Sequence, residues 1–334
     1  MAEGNRLVDT FFGITQTPTV LEDCRGFACV GVRLGTNKKS PGLILCSRIR
    51  IFVGNLIEIG SFVEEVMNMF RILIIFFAIV STIPVDAQNE VIGGCVKKDE
   101  KTRGINAGKH FPMYSVMKFP QALYVADFLA RNNIELNTGV LVRKDDLMQD
   151  TWSPMLNTFE NEKTFTYSEL LALSLQQSDN NACDLLFEQC GGPKTVEKYV
   201  RNLGFKEIRI RKTERQMHAN PVSGNENWCT PRSMVALLAW YITHHNDNET
   251  LRYIWKLMEE CQTGKDRLPA AFPNSASVIH KTGTGYPLPS GQPSGICDIG
   301  IIVLDDGKPF PIAVFIDNPS PQSRILDVAK QLLE

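Results

Sequence analysis

Metal and nucleotide chemistry have no handle in this sequence. It contains no His-Glu-x-x-His, no Cys-x-x-Cys and no Walker loop. No metal or other cofactor is therefore expected. Internal repeats and low-complexity tracts are absent, which excludes a repeat array. Charge of one sign is also lacking: 35 Lys and Arg against 37 Asp and Glu leave a formal net charge of −2. Nothing in that balance points to nucleic acid or to an anionic membrane as partner. The apolar run Ile72–Val80 is too short for a comfortable transmembrane helix. At 334 residues, 43% hydrophobic, the chain suits one large or two modest globular domains.

That apolar run carries a different signal. Met67-Asn68-Met69-Phe70-Arg71 precedes it, and Ser81, Thr82, Pro84 and Val85-Asp86-Ala87 follow. A basic start, a short apolar core and a small-residue exit form a secretory signal peptide over 67–87. A buried core helix is the alternative. Signal peptides stand at true N-termini, so translation is expected to begin at Met67 or Met69. Residues 1–66 then read as an over-extended start. The product is expected in the periplasm or outside the cell, with no stable membrane insertion. A lipoprotein is the rival export reading: Ile92-Gly93-Gly94-Cys95 resembles a lipobox, although Asp86, Gln88, Asn89 and Glu90 separate it from the apolar run it should abut.

Nine cysteines are present, three of them (Cys24, Cys29, Cys46) upstream of the signal. Cys183 and Cys190 lie about 10 Å apart along a predicted helix, too far to bridge. Buried thiols are expected for most of the six that remain.

Ser115-Val116-Met117-Lys118 carries the chemistry. Three residues apart on a helix, the serine and the lysine face one side. A hydroxyl is a weak nucleophile until a neighbouring base takes its proton, and an amine in a buried or positive setting can be that base. Alone, S-x-x-K is an ordinary coincidence. Here Ser178-Asp179-Asn180 and then Lys281-Thr282-Gly283 follow in order. Together the three form the set found in class A β-lactamases and penicillin-binding proteins.

On these motifs the chain resembles the class A serine β-lactamases from about Val91 to its C-terminus. The strongest stretches are 110–120, Ser178-Asp179-Asn180 and His280-Lys281-Thr282-Gly283-Thr284-Gly285. Thr213-Glu214-Arg215-Gln216-Met217-His218 is similar to the glutamate-bearing loop that separates hydrolases from transpeptidases. Met217 and His218 stand where Leu and Asn are usual, and Lys212 and Asn227 where an arginine–aspartate pair is usual. The loop's closing ion pair is therefore expected to be absent. These departures resemble the extended-spectrum cephalosporinase branch.

The resemblance implies an α/β (α+β) fold: an antiparallel sheet with flanking helices over 88–112 and 256–334, an all-helical domain over 113–255, and the active site between them. It also implies that an N-terminal helix is missing ahead of the first strand. Either upstream residues replace it or the enzyme is incomplete. The family's roles carry over as follows. Ser115 is the nucleophile, with the backbone N–H groups of Ser115 and Thr284 holding the oxyanion. Lys118 and Glu214 are the candidate bases. Ser178 relays a proton, and Lys281 supplies positive charge. Asn180, Thr282, Gly283 and Thr284 bind substrate, Gly283 by leaving room beside the backbone. Arg267 and Trp152 complete the substrate list, the first as carboxylate binder and the second as cleft wall.

Each has a plainer alternative. Glu214 could be a solvated loop carboxylate, Ser178 and Asp179 a helix cap, Arg267 a surface charge, and Trp152 a core side chain. The expected partner is a β-lactam, the expected state a monomer. A D-Ala-D-Ala transpeptidase or carboxypeptidase and an inactive homologue are the competing functions.

Overall fold

The computed structural model describes residues 89–321 and 324–334, all within one compact unit, Val85–Glu334. The expectations for the signal peptide, the upstream extension and the missing N-terminal helix lie outside the described residues.

The described residues open with a hairpin of β1 (Val91–Lys98) and β2 (Lys101–Ile105), then the short β3 (Phe111–Pro112) and α1 (Lys118–Asn132). A second hairpin follows, β4 (Gly139–Arg143) and β5 (Glu162–Thr166), leading into α2 (Tyr167–Gln176), α3 (Asn180–Cys190) and α4 (Pro193–Asn202). Then come β6 (Ile208–Arg209), α5 (Glu214–Ala219), β7 (Trp228–Cys229), α6 (Pro231–His244), α7 (Glu249–Glu259) and α8 (Leu268–Ala271). The chain closes with β8 (Ser277–Thr284), β9 (Gly295–Val303), β10 (Pro309–Asp317) and α9 (Ile325–Gln331).

Both ends of the described chain build one antiparallel sheet, in the order β2-β1-β10-β9-β8. Strand β10 explains why it is covered on both faces. Side chains alternate sides along a strand. Ile312, Val314 and Ile316 enter one core with Ile325, Val328 and Leu332 of the C-terminal segment. Ala313 and Phe315 enter the other, with Met234, Val235, Leu238 and Tyr241 of α6. A strand apolar on both sides cannot leave either face wet. The Asp305-Asp306-Gly307 turn joins β9 to β10, with Gly307 at φ +75°, where a side chain would be strained.

The expected domain division at 255/256 falls inside α7. Two local expectations shift. The sequence after the Pro112 turn predicts a helix over 116–133; it starts at Lys118, because a 3₁₀ turn, Tyr114–Met117, comes first and carries Ser115. Pro120 is third in α1, where its missing N–H would have had no helical partner. The sequence offers Ser168 as a cap for α2; Thr166 is the cap instead, in a capping box with Glu169. All six cysteines of the described residues are buried and unpaired.

Candidate active site

The edge strand β8 and the 3₁₀ turn of Ser115 meet the α2–α3 junction at a cleft of about 270 Å³. Ser115, Trp152, Ser178, Asn180, Thr263, Gly264, Arg267, Thr282 and Thr284 line it. Two of its walls are strained. Tyr114, beside the nucleophile, has φ +47°, and Ser178 has φ +59°. Left-handed backbone at a non-glycine residue costs on the order of 1–3 kcal/mol and persists only where surroundings over-determine it.

Asp179 supplies much of that determination at Ser178. Fully buried, it caps α3 by accepting from Ala182 N at 2.9 Å. It also accepts from Ser153 Oγ at 2.8 Å and Met155 N at 2.8 Å. The motif's aspartate is thus a helix cap that ties down the segment carrying Trp152, while its serine stays in the cleft. Trp152 is 63% exposed, with its indole N–H on Gln177 O, so it is not a core side chain.

Lys118 is the hub. Its buried ammonium lies 3.0 Å from Ser115 Oγ, 2.9 Å from Ser178 O and 2.8 Å from Asn180 Oδ1. Glu214 Oε1 is 2.9 Å away, in ion-pair contact without hydrogen-bond alignment. An ammonium has three protons, and four oxygens surround this one. One contact must therefore be made without a proton from Lys118. Asn180 also gives its Nδ2 to Thr151 Oγ1 at 2.9 Å, leaving one amide proton for a ligand.

Glu214 does not sit on an open loop. It opens α5, whose Thr213 and Gln216 form a capping box. Thr-x-x-Gln was legible in the sequence as that signature. Asp184 of α3 accepts from Glu214 N at 2.7 Å and Arg215 N at 2.8 Å, anchoring the turn to the helix behind it. Asp184 belongs to no motif, and sequence reasoning missed it. The loop also closes differently from expectation. Asn227 Oδ1 accepts from Arg211 N and Lys212 N, and its Nδ2 donates to Lys212 O. Lys212 pairs with Glu226 at 3.2 Å, so an ion pair is present one residue from the place where it was sought.

On β8, Lys281 Nζ donates to Ser178 Oγ at 2.9 Å and Thr282 O at 2.8 Å. Thr282 Oγ1 lies 2.6 Å from Thr263 Oγ1. Arg267 reaches Gly283 O and Cys297 O, both at 2.9 Å, and Thr284 Oγ1 at 2.7 Å. It is thus a held cleft residue rather than a free surface charge. Gly283 differs from expectation. A Cβ there would stand 2.6 Å from Cys297 Sγ and 2.7 Å from Met113 O. Its smallness serves close packing of β8 on the nucleophile's turn, not space in the cleft.

Burial, and then repulsion from Lys118, push the Lys281 ammonium down to about 8. Its charge is present below that pH and lost above it. The Michaelis constant for an anionic substrate is therefore expected to rise as pH passes through about 8. Lys281→Arg, which stays charged, should flatten that rise. A rise unchanged in the arginine variant would assign it to another group.

Residues 82–334 match the β-lactamase enzyme family. The chain belongs to this family. It is 36% identical over 250 residues to β-lactamase VEB-1 of Pseudomonas aeruginosa, covering 72% of this chain and 81% of that protein. The extended-spectrum β-lactamase PER-1, from the same organism, is 35% identical over 66% of this chain and 72% of its own. Among solved structures, the TLA-3 extended-spectrum β-lactamase superposes with a TM-score of 0.67 at 34% identity, covering 72% of this chain and 88% of that one. The protein is a class A serine β-lactamase, with the antiparallel sheet and flanking helices of that fold. It hydrolyses the β-lactam ring, the reaction behind β-lactam resistance. The transpeptidase alternative falls with that assignment.

Proposed function

We propose that Ser115 attacks the lactam carbonyl and that Lys118 takes its proton directly, with Glu214 as the group to which Lys118 can pass a proton. The 2.9–3.0 Å contacts of one ammonium with both Ser115 and Glu214 carry this reading. Attack forms a Ser115–carbonyl bond, and collapse breaks the ring C–N bond. The departing nitrogen receives its proton through Ser178, which Lys281 backs at 2.9 Å. Glu214 returns its proton through Lys118, replacing the one that Ser178 gave to nitrogen; as a carboxylate it then deprotonates the water that cleaves the acyl ester, and that proton passes to Ser115 Oγ as its bond to the acyl carbon breaks. The backbone N–H groups of Ser115 and Thr284 hold the oxyanion in both steps.

Lys281, Thr282, Thr284 and Arg267 take the substrate carboxylate, and Asn180 takes the side-chain amide. Trp152 walls the mouth. The domains follow the same reading, with 88–112 and 256–334 as the α/β domain and 113–255 as the helical domain. PER-1 and TLA-3 are extended-spectrum β-lactamases, which supports an extended spectrum here. The signal pattern over 67–87 supports export to the periplasm. A site drawn from one chain supports a monomer.

Intact mass of the exported protein, with and without a cephalosporin, tests the whole reading. The mature mass should correspond to a chain beginning at Gln88, and a brief drug-sized increase should appear and decay. A mature protein retaining residues 1–87 would overturn the export reading, and a lasting adduct on the unaltered enzyme would overturn the deacylation reading.

A further inference from the structure

Behind the cleft lies a buried cluster that the reaction above does not use. His280 Nδ1 sits 3.0 Å from Asp298 Oδ2 and 3.1 Å from Oδ1, all three atoms out of solvent. The charge of His280 acts on the neighbouring Cys261 thiol. Cys261 Sγ lies 3.4 Å from Thr263 Oγ1, and Thr263 Oγ1 lies 2.6 Å from Thr282 Oγ1. A chain of polar contacts thus runs from Cys261 through Thr263 to Thr282, on the cleft wall, with the His280–Asp298 pair acting on Cys261 from behind. Cys261 itself is only 9% exposed and belongs to no sequence motif.

A hydroxyl has one proton. In the Thr263–Thr282 pair, only one partner can donate to the other. If Thr263 donates, the Thr282 proton is free to point into the cleft. If Thr263 spends its proton elsewhere, Thr282 must donate to Thr263 and presents only lone pairs to a ligand. The other claimant on the Thr263 proton is Cys261. A thiol can donate its own S–H, to Thr263 Oγ1 or, more distantly, to Thr263 O at 3.7 Å. A thiolate is an acceptor only and takes the Thr263 proton.

We propose that Cys261 is a positioning residue whose thiol sets the direction of the Thr263–Thr282 hydroxyl pair, and so decides whether Thr282 can donate to the carboxylate of a bound β-lactam. The inference rests on the reading that Thr282 faces that carboxylate. The groups facing Cys261 make its ionisation accessible. They are His280 and Lys281 of β8, with Asp298 of β9 behind His280. On the α2 side, Gln176 contributes a backbone carbonyl that accepts from Gln262 N. Burial opposes a charge on sulfur. The His280 imidazolium, with Lys281 and the Thr263 hydroxyl adding to it, outweighs burial and draws the thiol down to about 7. Burial also opposes charge on His280, and Asp298 outweighs it, so the imidazolium is favoured.

The sign follows. Below the thiol's pKa, Thr282 donates and the substrate carboxylate is held. Above it, that donation is lost. A hydrogen bond to a charged group contributes about tenfold in binding. The Michaelis constant should therefore rise about tenfold near neutral pH, before the separate rise that Lys281 produces.

The test is the pH profile of kcat and KM for a chromogenic cephalosporin in the wild type, Thr263→Val and Cys261→Ser. Thr263→Val keeps the thiolate and its charge but removes the hydroxyl under competition. It should abolish the first KM rise, keep the Lys281 rise and leave kcat little changed. Cys261→Ser, which keeps a donor that does not ionise in this range, should also lack the first rise. Persistence of that rise in Thr263→Val would overturn the proposal, as would a wild-type profile with the Lys281 rise alone. The valine variant preserves shape, and thermal unfolding of both variants reports whether they fold. Ser115→Ala run beside them separates the two readings. If it still turns over substrate, the active-site assignment fails; if it is inert and the first rise survives in Thr263→Val, only the relay fails.

Discussion

Ser115→Ala protein will show no drug-sized mass increase after exposure to a penicillin or a cephalosporin. Only a group that can form an ester at the cleft floor accumulates such an adduct. Ser115 Oγ has the base beside it, at 3.0 Å. Ser178 Oγ, the other serine of the cleft, instead receives a hydrogen bond from Lys281 and has no ammonium–carboxylate pair behind it. The alanine variant should still fold, because Lys118 keeps Ser178 O, Asn180 Oδ1 and Glu214 around it. Turnover should fall by roughly 10⁶, the loss that follows removal of a serine hydrolase nucleophile. Mass spectrometry checks the adduct and a chromogenic substrate checks the rate. A stable adduct on the variant would move the nucleophile elsewhere.

Glu214→Ala is expected to separate acylation from hydrolysis. Ser115 and Lys118 remain in contact, so the ester can still form. Its removal needs a water that has been positioned and deprotonated, and alanine supplies no base. Losing a well-placed general base slows a step by about 10²–10⁴. Acyl-enzyme should build up, seen as a persistent mass increase and a burst without steady turnover. The substitution also strands the buried Lys118 ammonium, and breaking a buried pair from one side costs about 3–5 kcal/mol. Glu214→Gln preserves the volume and should show the same trapped ester with a smaller loss of stability. Full steady-state hydrolysis by both variants would remove Glu214 from the water-activating role.

Much of this site was legible before any coordinates, for a definite reason. A nucleophile and a base one helical turn apart interact locally, so Ser115 and Lys118 declare themselves by spacing. Strands β8, β9 and β10 declare themselves by their apolar runs and by the Asp305-Asp306-Gly307 turn. Helix ends were less legible. Thr166 and Ser168 both offer a capping oxygen two residues apart, and only the geometry with Glu169 selects between them. The Glu214 segment lacks periodicity, and its Pro221 and Gly224 read as a loop. The capping box at Thr213 nevertheless starts a short helix, because a satisfied N-terminus stabilises even six residues when Asp184 anchors it from outside.

The sequence by itself determined the order of the motifs, the identity of the reacting groups and the alternation that makes the sheet. These depend on neighbours along the chain. Tertiary structure alone decided which distant groups share a proton. Lys118 and Glu214 are 96 positions apart and 2.9 Å apart in space. Asp298, His280, Cys261 and Thr263 come from two strands and a connection, and no spacing rule joins them. Left-handed backbone at Tyr114 and Ser178 is likewise invisible in residue type, since neither residue prefers it. Such features exist because packing from several elements over-determines a position, and that energy is a property of the folded contacts, not of the local chain.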